Sequence, residues 1–169
     1  MKYEDIDIRE LDFEQKFSGC GEDYSQAVKL LSKEFPEEHT GTKLYVYRWI
    51  YLAKIGSKVI GVVTANTYNP NKAILCDIVV DEEYRGRTVA FKLFKRLGER
   101  ILKDGIPYLM GFTPKNNTEA LNTYKRLHTV QETFTFTVSD LNIGLKVTDQ
   151  LEQTILAYQN RGKNKGFTS

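Results

Sequence analysis

Histidine and cysteine are nearly absent from this 169-residue chain, which has two of each: His39, His128, Cys20 and Cys76. Neither pair has a spacing that closes on a metal, so a zinc centre is not expected. Two lone cysteines also make no disulfide framework, which points to a reducing compartment. An excess of one charge is missing too, since Lys plus Arg number 24 against 22 for Asp plus Glu. Obligatory nucleic-acid binders need a strong basic surplus to meet phosphates, so nucleic acid is not an expected partner. No apolar run is long enough to span a bilayer, and the opening MKYEDIDIRE lacks the apolar stretch of a secretion signal. These absences lead to the expectation of a soluble, cytoplasmic protein that binds neither metal nor membrane.

What is present suits one α/β domain with a real core, expected over residues 1–160, with residues 161–169 as a flexible basic tail. Residues 6–11 alternate apolar and polar like a half-buried strand. Ala27, Val28, Leu30, Leu31 and Phe35 repeat at helical spacing until Pro36 ends the pattern, and residues 36–45 read as loop or a short helix. From residue 49 to 80 three runs rich in β-branched and aromatic residues, WIYLAKI, KVIGVVTAN and KAILCDIVV, are separated by Gly56-Ser57 and Asn69-Pro70-Asn71. That pattern predicts a meander. The period then changes. Val89, Ala90, Leu93, Phe94, Leu97, Ile101 and Leu102 share one helix face, Lys92, Lys95, Arg96, Glu99, Arg100 and Lys103 the other, and Gly105 is the stop signal. PYLMGFT at 107–113 is a further strand, 116–127 a helix, QETFTFTV at 131–138 one alternating strand, and 147–158 a helix. A strand, helix, strand crossover makes KAILCDIVV and PYLMGFT parallel neighbours, with ligand chemistry at their carboxyl ends.

The join DEEYRGRTVA, between KAILCDIVV and the helix after it, carries the most information. A short polar turn that opens a helix is an anion site, because the first helical N–H groups point outward unpaired. Such turns favour glycine; Gly86 is present, but Thr88 stands where a second is expected. Threonine is a good N-cap, so its hydroxyl is expected either to satisfy a first-turn N–H or to face the ligand and donate to it.

Strand, acidic turn, Arg85-Gly86 and helix resemble motif A of the GNAT superfamily, the acyl-CoA-dependent N-acyltransferases. That motif reads Arg or Gln, two residues, Gly, one residue, Gly or Ala; Arg85 and Ala90 match, and Thr88 replaces the central glycine. Further on, Asn117, Ala120 and Tyr124 resemble the family's Asn-x-x-Ala-x-x-x-Tyr helix, and at this spacing they share one helix face. The helix ends Leu127-His128-Thr129, where the family usually has Leu-Gly-Phe. The resemblance covers residues 49–138. It implies an α/β (α+β) fold of GNAT type: a mixed, mostly antiparallel central sheet with flanking helices and a parallel strand pair splayed at the acyl-CoA site.

The resemblance also implies acetyl-CoA as co-substrate, no metal, and roles for particular residues. Arg85, Gly86, Arg87, Thr88, Val89 and Ala90 would cradle the pyrophosphate. The backbone of Ile78, Val79 and Val80 would hold the pantetheine and the thioester carbonyl, and Asn117 the pantetheine arm. Tyr124 would be the general acid for the departing thiolate, a phenol with a reference pKa of about 10 being protonated at neutral pH. The other reading of Tyr124 is one tyrosine among many on an apolar helix face. Asp77 interrupts an apolar strand and must be solvated or paired. It either orients or deprotonates an amine, directly or through water, or makes a structural hydrogen bond to a neighbouring loop. Glu37, Glu38 and His39 fall in the loop that covers the acceptor in the resembled fold, or are plain surface charge. Cys76 has no histidine beside it, and a buried strand thiol is inert. The implied activity is acetyl transfer to a primary amine of a small molecule, a peptide or a protein, with a homodimer left open. Two other readings stand: an acyl-CoA-binding or protein-interaction module without catalysis, and a tRNA-acetylating member.

Overall fold

The computed structural model describes residues 5–36, 43–86, 88–113, 117, 118, 122, 129–132, 136–141, 145, 146, 149, 150, 152–154 and 156. Among them run β1 (Asp7–Glu10), α1 (Phe13–Ser18), α2 (Glu22–Glu34), a 3₁₀ turn (Leu44–Val46), β2 (Trp49–Ile55), β3 (Lys58–Asn69) and β4 (Lys72–Val80). A second 3₁₀ turn (Glu82–Tyr84), α3 (Val89–Lys103), β5 (Tyr108–Phe112), β6 (Thr129–Glu132) and β7 (Phe136–Asp140) follow. The described strands form one seven-stranded sheet in the order β1-β2-β3-β4-β5-β7-β6. β4 and β5 are parallel and joined through α3; the other neighbouring pairs are antiparallel.

β2 reads WIYLAKI because it is buried on both faces. Trp49, Tyr51 and Ala53 pack with Ile60, Val63, Leu93, Leu97 and Ile101 beneath α3. Ile50 and Leu52 pack with Ala27, Leu31, Val59 and Val62 beneath α2. A strand covered twice loses the polar alternation of a half-exposed one, and each large side chain it buries is worth about 2 kcal/mol. Lys54 is the exception on this strand. It is only 9% exposed, and its Nζ lies 2.5 Å from Asp23 Oδ1 in the first turn of α2.

Gly61 brings α3 down onto the sheet. A Cβ at that position would lie 3.0 Å from Leu93 Cδ1 and 3.1 Å from Val89 Cγ1, so only a residue without one lets the first turns of α3 sit so close. Gly61 is also the register partner of Val80, the last residue of β4. The start of α3 is thereby fixed beside the end of β4. At its other end α3 stops ahead of Gly105, as the sequence predicts, with Gly105 N–H donating to Leu102 O at 2.9 Å and Ile106 N–H to Ile101 O at 3.2 Å.

Two elements differ from the sequence reading. α1 buries no residue, so it leaves no apolar stripe to read; Asp12, whose carboxylate accepts from Gln15 N at 3.1 Å, and Gly19 delimit it. QETFTFTV is not one strand but contributes to two, since β6 and β7 are antiparallel partners and β7 also pairs with β5. Its alternation runs on across the join, so period alone does not mark the break. Within 147–158, the described residues 149, 150, 152–154 and 156 are helical, and Asp149 and Glu152 pair with Lys95 of α3. The helix expected at 116–127 lies mostly outside the described residues, and the tail 161–169 entirely so.

The Lys54–Asp23 pair supports a stability test. Asp23→Ala leaves an ammonium buried without its carboxylate and should lower the urea-unfolding free energy by about 3 kcal/mol. Adding Lys54→Met removes the stranded charge and should recover part of that loss. A cost below about 1 kcal/mol for the single change would show that the ammonium finds water instead.

Candidate active site

β4 changes partners halfway along. Its pairing with β5 runs from Lys72↔Tyr108 to Leu75↔Gly111 and then stops, while β4 continues to Val80 and β5 only to Phe112. On its other side β4 stays with β3, but the register jumps from Ala65↔Leu75 to Thr64↔Asp77, leaving Cys76 as an inserted residue. An inserted residue bends and twists a strand, and here it falls where β4 and β5 part. The strand pair therefore forks after Leu75. Residues 76–80 present backbone toward the gap on their β5 side.

Thr64 and Asp77 secure the bend. Asp77 is buried; Thr64 Oγ1 donates to Asp77 Oδ2 at 2.7 Å, and the Asp77 N–H donates back to Thr64 Oγ1 at 3.1 Å. The structural hydrogen bond left open by the sequence thus exists, to the neighbouring strand rather than a loop. Cys76 corrects a further expectation, because it is exposed rather than buried. Its sulfur still turns back toward the strand, donating to Ile74 O at 3.7 Å, and burial, then the adjacent Asp77 carboxylate, push the thiol up to about 11. It is a poor nucleophile at neutral pH for that reason.

Ile78 and Val80 pack toward the α3 cluster and Val79 toward the α2 cluster. Their side chains thus serve the core, and what they offer the fork is backbone. β4 ends with Asp81 N–H on Ile60 O at 2.9 Å, and Asp81 Oδ1 accepts from Glu83 N at 3.2 Å to start the 3₁₀ turn. Gly86 follows at φ 70° and Thr88 at φ 68°, both left-handed, and α3 opens at Val89 with no acidic residue in its first turn. Thr88 is the one non-glycine with positive φ among the described residues. The backbone therefore keeps the conformation that a glycine would supply, at a cost of about 1–2 kcal/mol for a side chain with a Cβ.

The expected cap by the Thr88 hydroxyl does not form: the side chain makes no capping hydrogen bond to α3. Capping needs an extended backbone at the N-cap to aim the oxygen at the N2 or N3 amide, and a left-handed residue aims it elsewhere. The N–H groups of Val89, Ala90 and Phe91 precede the first helical bond, which is Lys92 N to Thr88 O at 3.1 Å. Beside Gly86 a Cβ would meet nothing within 4 Å, so that residue has open space at its side.

Three described cations around the turn, Arg85, Lys58 and Lys33, are engaged with acids. Arg85 NH2 lies 2.5 Å from Glu34 Oε1 at the end of α2, and its Nε donates to Val80 O at 3.1 Å. Lys58 pairs with Asp81 and Glu83, and Lys33 with Glu82. Glu34 carries no local signal in the sequence; only the packing of α2 beside β4 brings it to Arg85. Asn117 is exposed beyond β5. Arg87, Ala120, Tyr124, Glu37, Glu38 and His39 lie outside the described residues.

Residues 8–128 match the model of the Acetyltransferase (GNAT) family. The fold resembles an acetyltransferase of GNAT family from Staphylococcus aureus Mu50, at TM-score 0.62 and 15% identity over 80% of this chain and 99% of that one. It also resembles aminoglycoside 6′-acetyltransferase type Ii, at TM-score 0.65 and 17% identity over 80% and 97%. A third is a GNAT family acetyltransferase from Elizabethkingia anophelis with acetyl-CoA bound, at TM-score 0.59 and 15% identity over 80% and 98%. Likeness at such identities is a likeness of fold. No curated protein matches the sequence closely enough to count as a relative.

Two measurements check the local chemistry. Thr88→Gly should be more stable than Thr88→Ala by about 1 kcal/mol in denaturant unfolding, because both remove the hydroxyl and only glycine relaxes at positive φ. Equal stabilities would mean that the left-handed turn is not held in solution. In a Cys20→Ser background, alkylation of Cys76 by iodoacetamide should still be accelerating at about pH 10, since its thiolate fraction grows until the pH reaches the raised pKa. A plateau near the ordinary thiol value of about 8.5 would contradict the shielding described.

Proposed function

Because the chain belongs to the acetyltransferase (GNAT) family and is an acyltransferase, we propose that it moves an acetyl group from acetyl-CoA to a primary amine by direct attack of the amine. One observation carries this reading: the open edge of β4 leads, through a short 3₁₀ turn and the left-handed Gly86 and Thr88, to the N-terminus of α3, which has no side-chain cap. The residues present fit the cofactor. An edge of strand backbone suits the pantetheine amides, and a turn of outward N–H groups with no acid in the helix's first turn suits a pyrophosphate. Bound there, acetyl-CoA supplies the activated acyl group.

Arg85, Gly86, Arg87, Thr88, Val89 and Ala90 hold the pyrophosphate chiefly through backbone N–H groups. The backbone of Ile78, Val79 and Val80 aligns the arm and polarises the thioester carbonyl. Asn117 steadies the arm. Tyr124 gives its proton to the departing sulfur, and Asp77 at the fork orients the amine or accepts its proton through water. No helix among the described residues is long and apolar enough to cross a membrane, and we place the reaction in the cytoplasm, where acetyl-CoA is made and used. Thr88 favours one competing reading, a module that binds acyl-CoA without catalysis, because a strained residue stands where the resembled motif has glycine.

Tyr124→Phe distinguishes the two. It should retain acetyl-CoA binding by calorimetry yet release free CoA about a hundredfold more slowly with any amine the wild type accepts. Unchanged turnover removes Tyr124 from the mechanism. Binding by the wild type without CoA release for any amine in a broad panel favours the non-catalytic module.

A further inference from the structure

A cleft of about 710 Å³ lies at the end of the sheet where β1 stops and β2 begins, the pole opposite the phosphate turn. Six large apolar side chains are exposed among the described residues, and four of them, Phe13, Phe17, Tyr45 and Val46, line this one cleft. Phe13 and Phe17 stand with ring centroids 4.5 Å apart. Exposed apolar groups scattered singly need no explanation, whereas a cluster around a concavity of drug-like volume marks a ligand site.

The charges on its walls are unequal in their engagement. Glu10 accepts from Arg100 at 3.1 Å and from the Tyr51 hydroxyl at 3.5 Å, while Arg48 and Arg100 are both held by Asp104, which lies outside the cleft lining. Asp12 caps α1. Lys16 is different: its Nζ donates to the Arg48 carbonyl at 3.1 Å, and it forms no ion pair with a carboxylate among the described residues. Burial lowers its pKa from the ordinary lysine value, with the Glu10 charge opposing. The cleft thus holds a partly desolvated ammonium beside exposed rings, an arrangement that a bound carboxylate would complete.

The cleft stops short of the fork, on the side where β4 and β5 are still paired. Asn66 lines the cleft, and Asn66↔Ile74 is one register step from Ala65↔Leu75, after which β4 leaves β5. Lys16 on α1 and Asn66 on β3 are separate walls, so a ligand that spans them has its two ends in different chemistry. We propose that this cleft is the distal half of the acceptor site. It takes an elongated amine whose far end carries an apolar ring and a carboxylate, the ring against Phe13, Phe17 and Tyr45 and the carboxylate on Lys16. The assignment rests on the acetyltransferase reading, and the amine end lies at the fork beyond Asn66.

Three dipeptides of matched reacting end test it: glycyl-phenylalanine, its C-terminal amide, and diglycine. CoA release by the full chain should favour glycyl-phenylalanine over each of the others by about tenfold in kcat/KM, mostly through KM. In Lys16→Met the ratio of acid to amide should fall to about one, with circular dichroism confirming the fold. Equal use of acid and amide by the wild type overturns the carboxylate assignment, and equal use of glycyl-phenylalanine and diglycine overturns the ring assignment. If no dipeptide turns over, calorimetric titration of glycyl-phenylalanine into the protein with acetyl-CoA present decides the matter. Binding that Lys16→Met abolishes keeps the cleft while the catalytic reading fails; no binding overturns the cleft assignment itself.

Discussion

β4 pairs with β5 over four residues and then has to leave it, and the rest of the structure is arranged around that departure. A strand cannot abandon a neighbour for free, since each backbone N–H and C=O left without a partner and without water is costly. The inserted Cys76 turns the strand at the right place, and the mutual hydrogen bonds of Thr64 and Asp77 hold the turned segment to β3. Burial of β2 and β3 under two helices supplies the rigidity that keeps the gap from closing. The gap is what a ligand with amide groups along its length can fill.

The proposed phosphate turn would hold its anion without a surplus of basic groups among the described side chains. Lys33, Lys58 and Arg85 are each matched by an acid, so these three contribute little net positive potential. In the proposed site the attraction would come from oriented backbone N–H groups and the positive end of α3, which act at short range and depend on geometry more than on ionic strength. Gly61 is part of the same arrangement, because it allows the helix to approach the sheet until its first turn stands beside the end of β4. Thr88 strains the turn without changing its path, which implies that the packing of α3 fixes the backbone more firmly than the residue's own preference does.

Much of the fold was legible in the sequence. The meander from WIYLAKI to KAILCDIVV declared itself through β-branched runs and turn residues, and α3 through a stripe of which the structure buries Val89, Leu93, Phe94, Leu97 and Ile101 and half-buries Ala90 and Leu102. These signals are local: periodicity within one element reports which side of it is covered. α1 stayed hidden because it covers nothing, and the break between β6 and β7 because both strands keep the same alternation.

The candidate site divides along the same line. Sequence by itself determined the meander, the β4–α3–β5 crossover and the presence of an odd carboxylate at Asp77, and supplied the expectation of a phosphate turn ahead of α3, all of which depend on neighbours along the chain. Only the tertiary structure decided that Cys76 is an insertion, that Asp77 answers to Thr64, that Arg85 is held by Glu34, and that Lys16 shares a cleft with Tyr45 and Asn66. Those facts join residues distant in sequence. They follow from register and from helix packing, which are settled by the burial of the whole core rather than by the residues at the site.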